Sequence, residues 1–208
     1  MTPISYFEDA WTRCDEIRGL HAYLEGVLTG AFSADELLRS EWVARVSALD
    51  LFVHELVAQK MFDIFEGRRP PSPAYRKFPC AAETVLRVRN TTNQAEAASA
   101  FNLDIKNKLS RITYQSPDDI ADGIRMISNC ELWNEIVIRR GATPATKSTF
   151  AKALKRDLSL VVERRNKIAH EADLQPSFPR APWPINRGDV DFAAALIEGI
   201  VRDIEAIV

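Results

Sequence analysis

The sequence predicts an all-α protein, a helical bundle with two long central helices and additional shorter ones. Only 8 glycines and 11 prolines interrupt 208 residues, and long segments repeat apolar residues at the spacing of an α-helix. No segment of useful length shows the alternation of apolar and polar residues that marks a β-strand. Hydrophobic residues make up 46% of the chain, which is enough for a sizeable core in a single domain over residues 1–208.

The N-terminal third carries the first two predicted helices. The first spans residues 5–28 and is ended by Gly30. Ser33 begins the sequence Ser-Ala-Asp-Glu, a capping-box pattern, so the second helix is expected to start there and to reach about residue 66. Residues 42–65 are apolar on almost every side, which predicts that this helix lies at the centre of the bundle.

Two proline-rich loops, at about 67–79 and 175–188, divide the rest of the chain. Shorter helices are predicted at about 80–90, 94–114, 117–128 and 131–140, and the third of them has Ser116 as its N-cap and a proline at its first position. A long helix follows over residues 146–172, and Asp189 is predicted to cap the last helix.

The composition excludes several classes of protein. A net charge of −2, from 27 basic and 29 acidic residues, argues against intrinsic disorder. The apolar runs are too short for a membrane span, and the N-terminus lacks the features of a signal peptide. Three dispersed cysteines and three histidines support neither a disulfide framework nor a zinc site. We therefore expect a cytoplasmic protein with no metal and no cofactor and with its cysteines buried. The four tryptophans are expected in the core in preference to the alternative, platforms on which bases stack.

The even charge balance, which argues against a nucleic-acid partner, conceals a strongly basic segment. Residues 139–170 contain nine basic and two acidic residues, a net charge of +7, so the remainder carries −9. Two interpretations stay open: a solvated helix face, or the electrostatic footprint of a surface that binds phosphate.

The end of the basic segment lies within the string Glu163-Arg-Arg-Asn-Lys-Ile-Ala-His-Glu-Ala-Asp173. The pattern Arg165-Asn166-x-x-x-His170, close to the end of a long helix, resembles the motif of the HEPN superfamily. The wider string is similar to the RiboL-PSP branch of that superfamily, and residues 47–55 also resemble an early central helix of the branch.

The resemblance implies a HEPN-like bundle that forms a homodimer. It also implies a metal-independent endoribonuclease of toxin or phage-defence type, with an antitoxin or another defence-system protein as a partner. Other HEPN domains have lost catalysis and serve as RNA-binding or assembly modules, which is the alternative function. A third hypothesis is a helical interaction protein in which the motif arose by chance.

The residue types suit RNA cleavage in which the 2′-hydroxyl attacks the adjacent phosphate. Histidine side chains titrate near neutral pH, so His170 is assigned as general acid and base. Arg165 presents a planar cation to phosphate oxygens, and Asn166, one helical turn before His170, orients the imidazole. We expect Arg164 and Lys167 to bind substrate. The reaction needs two proton transfers, and the motif supplies only one histidine per chain. We therefore expect two chains to bring two motifs into one homodimer cleft.

Helix geometry leaves several roles open. Arg165 and His170 lie about 140° apart on an ideal helix, and Arg165 falls within an apolar stripe. Arg165 either reaches round to His170 or is a buried structural arginine paired with Asp50. Asp50 and His54, four residues apart, form either a core contact or a second catalytic pair. Asp173 either steers the His170 imidazole or ends the helix.

Overall fold

A computed structural model of the protein describes residues 1–27 and 33–208. These residues contain a short 3-10 turn at Tyr75–Lys77 and form eight α-helices. The helices are α1 (Pro3–Val27), α2 (Asp35–Phe65), α3 (Ala82–Asn90), α4 (Gln94–Leu109), α5 (Pro117–Ile127), α6 (Leu132–Arg139), α7 (Lys147–Glu171) and α8 (Arg187–Ile207). The described residues contain no strand, and a single isolated bridge joins Leu174 to Pro182. The prediction of an all-α bundle is confirmed.

The predicted central position of the second helix is also confirmed. Helix α2 packs against α1, α4, α5, α7 and α8, and fifteen of its 31 residues are buried. Helix α7 contacts α2, α5, α6 and α8. Burial on several sides explains why α2 is apolar around most of its circumference. A helix that buries only one face needs only one apolar stripe.

The predicted capping box at Ser33 is wrong. Helix α2 starts two residues later, with Ala34 as its N-cap, and the Ser33 hydroxyl accepts a hydrogen bond from the Asp35 amide at 3.1 Å. The Glu36 carboxylate accepts a hydrogen bond from Arg39 at 2.9 Å, and the N-cap residue makes no side-chain capping bond. Gly30, the predicted end of the first helix, lies outside the described residues.

Two helix boundaries differ from their predictions and one agrees. Asn186 caps α8, whereas Asp189, the predicted cap, is the third residue of the helix and completes a capping box with Asn186. The helix predicted over 94–114 ends at Leu109, because the chain beyond it is hydrogen-bonded to α2. Ser116 caps α5 as predicted, with its hydroxyl accepting from the Asp119 amide at 3.2 Å.

A buried ion cluster joins α1, α2 and α8 around Glu41, which is fully buried. Its carboxylate lies 2.7 Å from Arg187 and 2.9 Å from Arg45, and Arg18 approaches it at 3.3 Å. Burial by itself raises the pKa of Glu41, but the Arg187 and Arg45 guanidinium groups outweigh it, so the pKa lies below its ordinary value. These ion pairs tie the three helices together at a buried point.

The cysteines are three free thiols: Cys14 is buried, Cys130 is partly buried and Cys80 is exposed. The prediction that all three are buried is therefore wrong for Cys80, which follows the proline-rich loop instead of lying inside a helix. No helix in residues 1–27 and 33–208 combines the length and the apolar character needed to cross a membrane.

Two of the four tryptophans occupy the core as predicted. Trp42 and Trp133 are buried, and each donates its indole N–H to a backbone carbonyl at 3.0 Å. Trp11 is partly buried against Phe7. Trp183 is the exception, because 38% of its surface is exposed on the loop that follows α7.

Candidate active site

Helix α7 ends in two consecutive residues with left-handed backbone conformations. Ala172 has a φ of 51° and Asp173 a φ of 55°. Glycine, and less often asparagine or aspartate, adopts this left-handed conformation easily, whereas alanine does so with some strain. The amides of Ala172 and Asp173 both donate to the Lys167 carbonyl, the latter at 3.0 Å, which satisfies a carbonyl of the last helical turn. The chain therefore reverses sharply one turn after the predicted motif.

The buried carboxylate of Asp173 anchors this end of α7 to α2. Asp173 is 0% exposed, and its Oδ2 accepts from Arg39 at 3.0 Å and from Arg164 at 2.6 Å. Both arginines also donate to the Trp183 carbonyl, at 2.7 and 3.3 Å respectively. The Trp183 amide donates back to the Asp173 carbonyl at 2.7 Å. Two helices and the following loop are thus held together at one point.

Of the two roles predicted for Asp173, the structure agrees with the one at the helix end and not with direct steering of the His170 imidazole. The described residues contain no hydrogen bond or ion pair between Asp173 and His170, because the Asp173 carboxylate is turned inward to the arginines. Its effect on His170, three residues earlier, acts through the backbone. By fixing the last turn of α7, Asp173 fixes the position from which His170 projects.

Arg165 and Asn166 are brought together. The Arg165 Nη1 donates to the Asn166 Oδ1 at 3.1 Å, so the guanidinium turns from the apolar stripe toward the polar face of α7. Arg165 is partly buried, and its Nε is enclosed without a hydrogen-bond acceptor among the described residues. Asn166 and His170 are exposed one turn apart, and the described residues contain no hydrogen bond between them, so the contact of Asn166 is with Arg165 and not with the imidazole as expected. The three motif residues therefore present two Nη groups, an amide and an imidazole at one end of α7.

The suggested Arg165–Asp50 pair is absent from the part of the chain that the structure describes. The carboxylate of Asp50 accepts from the Tyr114 amide at its Oδ1 and from the Gln115 side chain at its Oδ2, the latter at 3.2 Å. Asp50 thus holds the α4–α5 connection against α2. This use of the carboxylate removes the buried partner that the structural interpretation of Arg165 required.

His54 takes part in the same connection. Its Nε2 lies 3.0 Å from the Ile112 carbonyl and 3.5 Å from the Asp50 Oδ1, and its ring meets the Tyr114 ring edge-on at 4.7 Å. These contacts agree with a satisfied structural histidine. They also explain why α4 ends early, because the backbone at residues 112–114 bonds to α2 instead of continuing the helix.

The two predicted substrate-binding residues occupy different environments. Lys167 is exposed beside Asn166 on α7. Arg164 is partly buried, and besides Asp173 and the Trp183 carbonyl it reaches the Pro184 carbonyl at 3.1 Å. The geometry leaves Lys167 accessible to a ligand, whereas the guanidinium of Arg164 is occupied by groups of the protein itself.

The basic segment is partly neutralised in the folded protein. Five of its nine cations form ion pairs, and for four of them the acid lies outside the segment: Arg139 and Arg140 with Asp203, Lys155 with Asp118, and Arg164 with Asp173. Arg156 pairs with its neighbour Asp157. The charge of +7 therefore overstates the positive potential along α7.

A second basic surface was not evident in the sequence analysis. It is a set of seven cations carried by α3, α4 and the segments beside them, and none has a carboxylate within ion-pair distance among the described residues. They are Arg76, Lys77, Arg87, Arg89, Lys106, Lys108 and Arg111. The sequence does show an excess of basic residues over positions 76–111, but no functional motif accompanies this excess.

Arg39 is the residue of the site that the sequence analysis missed most completely. It lies 134 positions before Asp173, in the first turns of α2 ahead of the stretch predicted to be apolar, and no local pattern links the two residues. Among the residues described, no group of three histidine, cysteine or acidic side chains is arranged to hold a metal ion.

Comparison with known proteins identifies the family of the chain. The model of the RiboL-PSP-HEPN family matches residues 11–208, almost the whole chain and including all of α7. No curated protein and no solved structure shows a significant match to the chain. The HEPN superfamily contains ribonucleases and also members without catalytic activity. On the match over residues 11–208, the chain belongs to the RiboL-PSP-HEPN family.

Proposed function

We propose that the protein is a metal-independent endoribonuclease that acts as a homodimer, with Arg165, Asn166 and His170 in its catalytic centre. The observation that carries the proposal is the Arg165–Asn166 hydrogen bond of 3.1 Å, because it turns the guanidinium toward the face on which His170 is exposed. A cation for phosphate and a group for proton transfer then project from the same anchored end of α7.

In the proposed reaction His170 accepts the proton of a 2′-hydroxyl as the 2′-oxygen forms a bond to the adjacent phosphorus. The bond between phosphorus and the 5′-oxygen breaks, and that oxygen takes up a proton from an acid. The products are a 2′,3′-cyclic phosphate and a free 5′-hydroxyl. The Arg165 Nη groups balance the charge on the pentacoordinate phosphorus, Asn166 holds Arg165 in place, and Lys167 contacts a neighbouring phosphate.

Two chains supply the second proton-transfer group. The first step leaves His170 protonated, and the 5′-oxygen lies on the opposite side of the phosphorus in an in-line displacement. A second His170, related by a two-fold axis, reaches that side while the first faces the 2′-oxygen. A homodimer cleft is therefore part of the proposal. The family membership favours a toxin or defence role in the cytoplasm, with an antitoxin-like or defence-system protein as a further partner.

The decisive experiment compares wild type with His170→Ala on single-stranded RNA in excess EDTA. Because His170 is exposed, its replacement should leave the melting temperature unchanged while cleavage falls about 10²- to 10⁴-fold. Thr149→Ala, an exposed change at the other end of α7, is the matched control and should cleave like wild type. The fragments should carry 2′,3′-cyclic phosphate ends.

Equal cleavage by wild type and His170→Ala would show contamination and overturn the catalytic assignment. RNA binding without cleavage would identify the alternative, a non-catalytic HEPN module for RNA binding or subunit assembly. A monomer at micromolar concentration, measured by light scattering during size-exclusion chromatography, would contradict the shared cleft.

A further inference from the structure

We propose that the groove between the end of α7 and the following loop binds a nucleobase of single-stranded RNA beside the cleavage site. This inference rests on the proposed function, since it names the substrate contact next to His170. The groove encloses about 520 Å³ and is lined by Lys167 and Glu171 from α7 and by Gln175, Arg180 and Trp183 from the loop. Its volume is within the range of small-molecule sites in proteins.

The groove lies directly beside the motif. At about 100° per residue, His170 projects about 60° from Lys167 and about 100° from Glu171 around the helix. His170 therefore does not line the groove but projects from the adjacent face of α7, on the Lys167 side. A base that occupies the groove brings its own ribose and phosphate next to His170, where the proposed chemistry takes place.

Trp183 is the stacking platform of this groove. The residue is 38% exposed although its backbone is fixed in the buried anchor, with the amide bonded to the Asp173 carbonyl and the carbonyl bonded to Arg39 at 2.7 Å each. An indole held rigidly by its main chain loses little freedom when a base stacks on it. Every base offers a flat face to an aromatic ring, so the contact suits RNA of varied sequence.

Polar groups of the groove complement the other parts of a nucleotide. Among the described residues, neither Lys167 nor Arg180 has a carboxylate within ion-pair distance, so both can bind phosphate. The Gln175 Nε2 donates to the Pro182 carbonyl at 3.1 Å, which leaves its amide oxygen to accept from a base. Glu171 adds a second acceptor for base N–H groups. The combination of an aromatic face, acceptors and cations indicates a nucleotide instead of a purely apolar ligand.

The test measures binding of a fluorescently labelled single-stranded RNA of twelve nucleotides by anisotropy, on a His170→Ala background that prevents cleavage. Trp183→Leu should raise the dissociation constant about 5- to 150-fold, the range for loss of one base–aromatic stack. Trp183→Phe should keep most of the affinity. Phe178→Leu, in the same loop but outside the groove, is the matched control and should bind like the background protein.

Two further measurements separate stacking from charge and from misfolding. Inorganic polyphosphate, an anion without bases, should bind equally to the background protein and to Trp183→Leu. Arg180→Ala, an exposed change, should weaken RNA binding and lower the slope of binding against salt by about one. It tests the groove independently if the leucine variant proves unstable.

Unchanged RNA binding in both Trp183→Leu and Arg180→Ala would overturn the groove, while cleavage by wild type would still support the proposed function. An equal loss of RNA and polyphosphate binding in Trp183→Leu would also overturn it, since stacking does not act on polyphosphate. Trp183-dependent binding with no cleavage by wild type would support the groove and contradict the nuclease.

Discussion

The anchor at the end of α7 predicts a large and specific loss of stability for Asp173→Asn. Asparagine has nearly the same shape as aspartate and tolerates the left-handed backbone, with its φ of 55° at this position. The substitution therefore removes the negative charge while sparing the backbone. Arg39, only 6% exposed, and the partly buried Arg164 would then face a neutral amide.

The magnitude follows from the contacts that remain. Breaking a buried ion pair completely costs about 3 to 5 kcal/mol. Here Arg39 keeps the Glu36 carboxylate and the Trp183 carbonyl, and Arg164 keeps two carbonyls. The asparagine oxygen can still accept from the two guanidinium groups, but these bonds lack the charge of the carboxylate and are weaker than the original ones. We expect a loss of about 2 to 4 kcal/mol, or roughly 4 to 16 °C in melting temperature for a chain of this length.

Asp191→Asn provides a matched control elsewhere in the protein. Asp191 also bridges two arginines, accepting from Arg18 at 2.8 Å and from Arg187 at 3.1 Å, but its side chain is 50% exposed. Solvent screening limits an exposed bridge of this kind to less than about 1 kcal/mol. Urea unfolding of wild type and both variants, followed by circular dichroism at neutral pH, gives the comparison.

The result that refutes the reasoning is an equal loss from the two substitutions, because burial is the main difference between the two bridges. A stability loss below about 1 kcal/mol for Asp173→Asn would also refute the reasoning. It would mean that Arg39 and Arg164 are satisfied by the carbonyls alone, and that the carboxylate contributes little beyond a neutral acceptor.

Three further predictions concern the rest of the fold. The lowered pKa of Glu41 contributes stability that is present above its ordinary value of 4.5 and is lost as the pH falls through the lower folded value. Urea titrations at pH 7 and pH 3.5 should thus show a smaller acid loss in Glu41→Gln than in wild type, and parallel losses would contradict this. Gly123→Ala should cost about 1 to 3 kcal/mol, because its Cβ would lie 2.7 Å from the buried Tyr114 ring, and an unchanged melting temperature would show that the ring moves freely. Gly19→Ala, in the middle of α1 with nothing within 4 Å, should instead raise stability by about 0.5 to 1 kcal/mol in thermal unfolding, and a decrease would contradict the open helical site.

Local patterns were sufficient to predict the helices because hydrophobic periodicity reports burial directly. Residues 42–65 lack a polar face, and α2 indeed packs against five other helices. The patterns failed where a distant side chain decides the outcome. The helix predicted over 94–114 stops at Leu109 because Asp50 and His54 of α2 bind the backbone that would extend it. No rule of local sequence contains that contact.

In the candidate site, too, the features within one stretch of sequence were predicted and those that depend on distant residues were not. The motif at residues 165–170 was found because its chemistry and spacing lie within two turns of one helix. The anchor beneath it was not, since Arg39 and Trp183 are 134 and 10 residues away from Asp173 and meet it only in the folded chain. Trp183 was expected in the core because tryptophan is largely apolar. Its backbone indeed lies in the buried anchor, while its ring does not.

The string from Glu163 to Asp173 combines two functions because consecutive residues of a helix point in different directions. Arg164 turns inward to the Asp173 carboxylate, whereas the Arg165 guanidinium turns to Asn166 on the outer face. The same 100° step that separates the adjacent arginines divides the string into a set that fixes the helix end and a set that can meet a phosphate. A rigid end of this kind is what a histidine needs if it is to hold one position relative to a scissile bond, since small displacements of a catalytic group lower the rate sharply. The anchor and the motif are therefore adjacent in sequence for a mechanical reason, and the loop that completes the anchor also carries Trp183, which lines the groove together with Lys167 and Glu171.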